Sequence, residues 1–365
     1  MSGIAAVLSG GAQPIKYGEL AHYVRRMLES VAYRGPDGMR VWTDTTVGLG
    51  HAALLTTAED HFGAQPLASP RTGCVITADV RLDNRSELLA QLERPAGGHL
   101  CDAEIVLRIY ERWGLEAPER LRGDFAFAIW DPRSARLVCA RDQYGQRPLF
   151  YRVDQGTCVA ASEVHQLLQD PSVPLSPNES RILDDLVPAN MLRNQPDRPD
   201  TYYAGINALT AGSILVATAG GVRTERYWEF VPGPELRYRR ASEYVDEFRA
   251  LLTDAVRVRL RSDSPVGALL SGGLDSSSIV CLAQELYLSG AAPDHGFETF
   301  SAVYPGLECD ERPLIEEVQA KYAFKAHYVA PDTDNEWSLS APSGFAPQPG
   351  LAVAGLDALL SASAQ

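Results

Sequence analysis

The chain has 365 residues, 45% of them hydrophobic, which is enough apolar material for two ordinary cores, so we expect two domains. Its net charge of −14 disfavours nucleic acid and anionic membranes as partners. Because neither a basic leader nor an apolar run of membrane-spanning length is visible, we expect a cytoplasmic protein with no membrane partner. The six cysteines are scattered without a Cys-x-x-Cys pair, which argues against zinc and redox motifs.

Short strand-like segments, interrupted by helical spacing, make up about the first 165 residues. Helical spacing is found at 17–31, 85–92 and 103–113, and the strand-like segments are 3–8, 48–55, 74–82, 124–130, 136–140, 149–152 and 157–161. This alternation predicts layered α/β/β/α packing, with two stacked sheets between helices.

A segment rich in Pro, Asn and Asp follows at residues 171–200 and is predicted to wrap as a linker around a short helix. Two strand-like segments come next, at 213–217 and 224–230, and we expect them to bridge the domains. We therefore place the first domain at residues 1–205 and linker strands at 206–240.

From Ala241 onward long helices alternate with apolar strands. This pattern predicts right-handed βαβ units and a parallel sheet, with ligands at the carboxyl ends of its strands. After Ala330 the sequence is rich in Ala, Ser, Pro and Gly, a composition typical of disorder. We therefore predict a partial doubly wound parallel-sheet domain at residues 241–365, with a disordered tail from about residue 331.

The segment Ser271-Gly272-Gly273-Leu274-Asp275-Ser276-Ser277 predicts a glycine turn between a strand and the start of a helix. Two adjacent glycines permit a tight bend with inward N–H groups, and the positive end of the helix dipole adds to them. Such a nest holds phosphate. Serine hydroxyls can donate to phosphate oxygens, and Asp275 can either cap the helix or carry a magnesium ion. The alternative is a helix N-cap after a glycine turn, with no ligand.

Several further motifs accompany this loop, and together they are highly specific. They are Met1-Ser2-Gly3-Ile4, Arg34-Gly35-Pro36-Asp37, Gln65-Pro66, Phe125-Ala126-Phe127 with Trp130-Asp131, Arg141-Asp142 with Gly145 and Pro148-Leu149, and Cys309-Asp310-Glu311. From Met1 to about Val329 the chain resembles the glutamine-dependent asparagine synthetases, a family that includes β-lactam synthetases and lasso-peptide macrolactam cyclases. The resemblance implies a type 2 glutamine amidotransferase domain of the N-terminal-nucleophile type, followed by an ATP-pyrophosphatase domain.

The same resemblance implies ATP and Mg²⁺ as cofactors. In this family a carboxylate attacks the α-phosphorus of ATP, pyrophosphate leaves, and an amine then displaces AMP. The ATP-binding residues that the resemblance implies are Leu270, Ser271, Gly272, Gly273, Leu274, Asp275, Ser276, Ser277, Ala302 and Val303, with Asp275 also as metal ligand. Asp310 and Glu311 are expected to cap the following helix rather than to catalyse.

The first domain departs from the family pattern at the positions that carry its chemistry. Ser2 stands where the resemblance implies a catalytic cysteine nucleophile, and a hydroxyl ionises far less readily than a thiol. Ala52-Ala53 replaces an arginine clamp for the glutamine carboxylate, and Ala78-Asp79 replaces an Asn-Gly oxyanion hole. Asp102 matches the family aspartate that binds the glutamine amino group, although it is also placed to be a helix N-cap. We therefore predict no useful glutaminase activity.

These features predict an ATP-dependent ligase of asparagine synthetase type, which adenylates aspartate or a larger small-molecule or peptide carboxylate for attack by ammonia or an amine. Because the departures favour branches that use an amine of the substrate itself, the first alternative is a cyclase that forms a macrolactam or a β-lactam. The second is a truncated, non-catalytic ATP-binding remnant, since the second acidic motif and the lysine that the resemblance implies are not found after Ala330. A homodimer, or a partner chain that completes the second domain, is then expected.

Overall fold

The computed structural model describes residues 1–11, 15, 17–93, 100–170, 173, 175–186, 198–293 and 295–330. The chain forms two compact units, the first of residues 1–55 and 59–232 and the second of residues 56–58 and 233–365. The tail predicted to be disordered lies outside the described residues, as does the part of the predicted linker at 187–197. None of the described helices combines the length and apolar composition that crossing a membrane requires.

The first unit contains two antiparallel sheets of six strands each. Numbered along the chain, their strands are β1 (Gly3–Leu8), β2 (Met39–Thr43), β3 (Val47–Ala52), β4 (Leu67–Ala68), β5 (Val75–Leu82), β6 (Gly123–Asp131), β7 (Arg136–Arg141), β8 (Phe150–Asp154), β9 (Thr157–Ala161), β10 (Asn207–Ala208), β11 (Ser213–Thr218) and β12 (Gly221–Arg226). The first sheet has the order β10-β8-β9-β1-β3-β2, and the second has the order β12-β11-β7-β6-β5-β4. β1 therefore lies inside its sheet, with β3 on one side and β9 on the other.

The helices of this unit are α1 (Tyr17–Glu29), α2 (Arg85–Gln91), α3 (Asp102–Trp113), α4 (Ala117–Arg120), α5 (Val164–Leu167) and α6 (Glu179–Leu186). All of them except α6 contribute buried side chains to the cores on the outer faces of the two sheets. Leu20, Val24 and Leu28 recur every fourth residue and form the face of α1 that packs on the first sheet. Ile105 and Ile109 do the same for α3 on the second sheet, and a third core fills the space between the sheets. This arrangement confirms the predicted α/β/β/α sandwich.

The two strands that the sequence predicts as a bridge between domains belong to the second sheet. β11 pairs with β7 through Leu215 and Cys139, and β12 extends the sheet through Thr224, opposite Leu215. Ile214 faces the core under the helices while Leu215 faces the core between the sheets, because β11 is an inner strand buried on both faces. A strand buried in this way reads as a continuous apolar run.

The second unit alternates helices and strands. Its elements are α7 (Ala241–Arg259), β13 (Val266–Leu269), α8 (Leu274–Leu288), β14 (Phe297–Ala302), α9 (Arg312–Lys321) and β15 (Lys325–Val329). The strands form a parallel sheet in the order β13-β14-β15. The core of the unit is built from all three helices and the sheet, through Val256, Val280, Phe297 and Ile315 among others. The predicted parallel βαβ arrangement is therefore confirmed for this unit.

Candidate functional site

The glycine turn lies at the carboxyl end of β13, as predicted, and opens directly into α8. Its base is tied to the neighbouring strand, because the N–H of Leu270 donates to the carbonyl of Phe300 at 3.0 Å and the Ser301 hydroxyl donates to the carbonyl of Leu270 at 2.7 Å. Leu270 and Ser301 are both buried. The turn is thus anchored at the sheet edge where parallel α/β folds bind ligands.

The start of α8 presents several backbone N–H groups toward this turn. The first intrahelical bond runs from the N–H of Ser277 to the carbonyl of Gly273, so the N–H groups of Leu274, Asp275 and Ser276 precede it. Gly273 occupies the N-cap position and the helix has no side-chain cap. Asp275 is therefore not the N-cap, and its exposed carboxylate is free of that role to carry a cation.

Two serine hydroxyls close the turn on itself. The Ser276 hydroxyl accepts from the N–H of Ser271 at 3.1 Å, and the two side-chain oxygens lie 3.0 Å apart. Because a hydroxyl rotates to suit its acceptor, the same pair can redirect its protons to an anion above the turn. The turn is therefore held in a closed form by groups that are also able to bind phosphate oxygens.

Gly272 is required by the shape of the turn. Its φ angle of 79° lies in the left-handed region, which favours glycine. A Cβ atom at this position would lie 3.1 Å from both the carbonyl oxygen of Glu311 and the Cβ atom of Leu314, at the start of α9. The turn is therefore packed directly against the first turn of that helix.

The other two implied ATP-binding residues lie at the same edge of the sheet. β14 ends at Ala302, and the N–H of the buried Val303 donates to the carbonyl of Val329 at 2.9 Å. Since Leu269 pairs with Phe300, Ala302 at the end of β14 and Val303 directly after it lie level with the start of the glycine turn. The structure thus brings all ten implied residues to one edge.

The lysines of this unit lie away from the glycine turn. Lys321 ends α9 and Lys325 begins β15, which places both at the opposite, amino-terminal edge of the parallel sheet. They are the lysines of the second unit within its described residues. Those residues also contain no cluster of three or more His, Cys, Asp or Glu side chains that could hold a metal ion, so a metal at Asp275 would depend on phosphate oxygens for other ligands.

A second polar site surrounds Ser2 in the first unit. The Ser2 side-chain oxygen accepts from the N–H of Leu54 at 3.1 Å, and the Ser2 N–H donates to the Asp79 carboxylate at 3.2 Å. Both Ser2 and Asp79 are buried. Ser2 is therefore held by the chain itself at the position that the resemblance assigns to a nucleophile.

Asp79 sits between two guanidinium groups. Arg147 lies 3.8 Å and Arg34 4.0 Å from its carboxylate oxygens. Burial raises the pKa of Asp79, and the charges of Arg147, the N-terminus and Arg34 oppose that rise. The ionised Asp79 side chain offers no donor, so it lacks the side-chain amide that would stabilise the negative charge that develops in amide hydrolysis.

Arg34 also belongs to a buried network with Glu163. Its guanidinium lies 2.6 Å from the Glu163 carboxylate, which further accepts from the Tyr33 hydroxyl at 2.5 Å and lies 3.2 Å from His165 Nδ1. Burial alone would raise the pKa of Glu163, but the nearby His165 ring and the hydrogen bonds from Tyr33 and Arg34 together lower it to about 2. The network fixes Arg34, whose Nε donates to the Ser2 carbonyl at 3.3 Å.

Asp102 is buried at the first position of α3, and both of its carboxylate oxygens have partners within the chain. One oxygen accepts from the N–H of Leu82 at 2.8 Å, and the other pairs with the guanidinium of Arg85. Cys101, not Asp102, occupies the N-cap position, so the predicted alternative of a helix cap is wrong. The carboxylate that the resemblance assigns to the amino group of glutamine is instead paired with a cation of the same chain.

The remaining departure, Ala52-Ala53, follows a buried histidine. His51 lies on β3 with its Nδ1 atom 3.3 Å from the Thr77 hydroxyl, and burial lowers its pKa to about 4. The neutral His51 ring and the methyl groups of Ala52 and Ala53 therefore supply no positive charge in place of the arginine that the resemblance implies. Sequence reasoning missed the roles of Arg34, Arg85 and Arg147, although Arg34 stands in a motif that carries the resemblance.

Comparison with known proteins agrees with this division into two parts. Residues 1–228 match the family described as "Glutamine amidotransferase domain", and residues 247–335 match the one described as "Asparagine synthase". The chain belongs to the glutamine amidotransferase domain family. Because the asparagine synthase match follows it in the same chain, the resemblance to asparagine synthetases is confirmed.

Relatives of this chain include an amidase and asparagine synthetases. Amidase chry2 of Gibberella zeae is 31% identical over 305 residues, which cover 80% of this chain and 44% of the relative. Asparagine synthetase [glutamine-hydrolyzing] 3 of Bacillus subtilis is 30% identical over 329 residues, which cover 88% of this chain and 49% of the relative. The chain thus spans about half the length of the curated relatives it matches.

Among solved structures, the chain is similar to the glutamine phosphoribosylpyrophosphate amidotransferase from B. subtilis complexed with ADP and GMP. The identity is 15% and the TM-score 0.44, and the alignment covers 90% of this chain and 81% of that chain.

Proposed function

We propose that the chain is part of an ATP-dependent ligase of asparagine synthetase type, which adenylates a carboxylate, releases pyrophosphate and passes the acyl group to an amine. The observation that carries this proposal is the Ser271–Ser277 turn at the carboxyl edge of a parallel sheet, within the region that matches the asparagine synthase family. Family membership supports the reaction class, and aspartate, another small molecule or a peptide would be the acid.

The residues around the turn would divide the work as follows. The N–H groups of Leu274, Asp275 and Ser276 and the hydroxyls of Ser271 and Ser276 would hold the β- and γ-phosphates, and the edge at Ala302 and Val303 would receive adenine. Mg²⁺, whose site the Asp275 carboxylate fits because it is exposed beside these N–H groups, would neutralise charge on the leaving pyrophosphate.

Pyrophosphate exchange tests this function directly. Labelled pyrophosphate should enter ATP only when a suitable carboxylate is supplied, because adenylation is reversible before the amine attacks. Asp275→Asn should abolish the exchange, and Glu317→Gln, which changes an exposed carboxylate on α9, should leave it unchanged. ATP binding without exchange for aspartate or any other acid tried would favour the alternative of a non-catalytic ATP-binding remnant.

A second candidate is a cyclase that takes its amine from the substrate itself. The filled polar site of the first unit favours it, since Asp79 faces the Ser2 nitrogen and Arg85 occupies the Asp102 carboxylate. Glutamine would then supply no ammonia. Incubation with glutamine, on protein whose first methionine is verified as removed, should release no glutamate above background. A substrate that carries both a carboxylate and an amine should become a ring lighter by one water, while ATP is cleaved to AMP and pyrophosphate. Glutamate release at rates usual for amidotransferases would contradict this candidate.

The sheet of the second unit is small and incompletely covered. Its three-stranded parallel sheet has open edges at β13 and β15 within the described residues, and parallel sheets are ordinarily larger and covered on both faces. We propose that further polypeptide completes this unit. Three sources of this polypeptide are possible: the tail after Ala330 in this chain, a partner chain, or a second copy. Measuring the solution mass of the chain distinguishes them, once alone and once after co-expression with sequence that continues the asparagine synthase match.

A further inference from the structure

The wall behind the phosphate-binding turn is the first turn of α9. Gly272 is in contact with it, since a Cβ atom there would lie 3.1 Å from the Glu311 carbonyl oxygen and 3.1 Å from the Leu314 Cβ atom. These neighbours are backbone and a Cβ atom, so they cannot move without the helix start moving as well. The shape of the turn is therefore coupled to the position of α9.

One side chain, Asp310, fixes that helix start. Its Oδ1 atom accepts from the N–H of Tyr304 at 3.1 Å and from the N–H of Arg312 at 3.3 Å, and its own N–H donates to the carbonyl of Leu307 at 3.1 Å. Tyr304 directly follows Val303, which is hydrogen-bonded to β15. A single carboxylate oxygen thus joins the end of β14 to the first turn of α9.

We propose that Asp310 is a positioning residue for nucleotide binding, which sets the wall behind Gly272 without touching the nucleotide. This inference rests on the proposed function, because it assumes that the turn binds ATP. It assigns Asp310 a role distinct from that of Asp275. Asp275 stands exposed on the open side of the turn, whereas Asp310 is partly buried and its Oδ1 atom already accepts two backbone N–H groups.

Two substitutions at Asp310 separate positioning from metal binding. Asp310→Ala removes the acceptor, and we expect the Kd for Mg·ATP, measured by calorimetry on the full chain, to rise about tenfold, the range of one or two lost hydrogen bonds. Asp310→Asn keeps an oxygen at the same place, and its Kd should stay within about threefold of wild type. Glu308→Ala removes an exposed carboxylate from the same loop and serves as the matched control.

The Mg²⁺ dependence of ATP binding distinguishes a positioning residue from a metal ligand, because only the loss of a metal ligand should change it. The concentration of Mg²⁺ that gives half-maximal ATP binding should be the same in wild type, Asp310→Asn and Asp310→Ala, since the proposed role involves no metal. If Asp310→Asn is as weak as Asp310→Ala and both need several times more Mg²⁺, Asp310 is a metal ligand and the inference is overturned.

A pair of changes at Leu314 tests the wall without altering Asp310. Leu314→Ala keeps the Cβ atom that faces Gly272, and we expect no change in ATP affinity. Leu314→Gly removes it and should weaken ATP binding in the same direction as Asp310→Ala. Both should fold, because the Leu314 side chain is half exposed.

The outcomes distinguish this inference from the function on which it rests. No ATP binding by wild type would overturn both. ATP binding by wild type that is unchanged in Asp310→Ala and Leu314→Gly would overturn the positioning role alone and leave the ligase proposal standing.

Discussion

Glu163→Gln isolates the charge that organises the Ser2 site. In the folded protein the pKa of Glu163 falls from a usual value near 4.5 to about 2, which corresponds to roughly 3 kcal/mol in favour of the ionised form. Solvent near the partly exposed His165 screens part of this, and glutamine keeps one acceptor oxygen for Tyr33 or Arg34. We therefore expect the free energy of unfolding at pH 7 to fall by about 2 kcal/mol, less than the roughly 3–5 kcal/mol typical of a fully buried ion pair that loses one partner.

Thermal and urea unfolding of the two proteins measure this difference. For a domain of this size about 2 kcal/mol lowers Tm by roughly 4–8 °C. Because the folded state favours ionised Glu163, its contribution is complete above the unfolded pKa and is lost as the pH falls toward the folded value of about 2. The difference in the free energy of unfolding between wild type and Glu163→Gln should therefore be constant above pH 5 and should decrease steadily between pH 4.5 and 2.5.

The exposed Glu119 on α4 provides the control. Glu119→Gln removes the same charge from the surface and should change Tm by less than about 1 °C. Two results would refute the reasoning that the Arg34–Glu163 ion pair stabilises the fold. One is a Tm at pH 7 that is the same for Glu163→Gln and Glu119→Gln, and the other is a stability difference from wild type that does not decrease in acid.

Three further outcomes are expected. Arg85→Gln leaves the buried Asp102 carboxylate without its cation and should cost about 3–5 kcal/mol in urea unfolding, and an unchanged midpoint would contradict the ion pair. Gly272→Ala forces a strained φ of 79° and a 3.1 Å contact, so calorimetry should show ATP binding at least tenfold weaker, and wild-type affinity would speak against the packed turn. His51 is buried and its pKa is lowered to about 4, so on acidification the unfolded state binds a proton before the folded state does, and the free energy of unfolding falls from pH 6.5 to 4. His51→Asn should reduce that loss by up to about 3 kcal/mol, measured by urea unfolding across this pH range.

Local pattern was sufficient for much of the architecture. The fourth-residue spacing of Leu20, Val24 and Leu28 gives the sheet-facing side of α1, and the glycines of the phosphate turn mark the junction of β13 and α8. These features depend on neighbours within one turn of helix or one loop, so the sequence order already contains them.

Contacts between distant residues were not predictable in the same way. Arg34 and Glu163 are separated by 129 positions and Ser2 and Asp79 by 77, so no periodicity links them. Asp102 was predicted as either a ligand-binding residue or a helix cap, and its partner Arg85 became visible only when α2 and α3 were placed side by side. Charge pairs of this kind depend on the fold, which decides which side chains share a buried space.

The inner position of β1 has a consequence for the synthesis of the chain. β1 is translated before the other strands of the first unit, yet it pairs with β9, about 150 residues later, and the second sheet is complete only after β11 and β12. The ribosome must therefore release most of the first unit before either sheet can close, and β1 must stay unpaired on its β9 side until then. Chaperones that shield extended apolar segments have their longest opportunity at Gly3–Leu8.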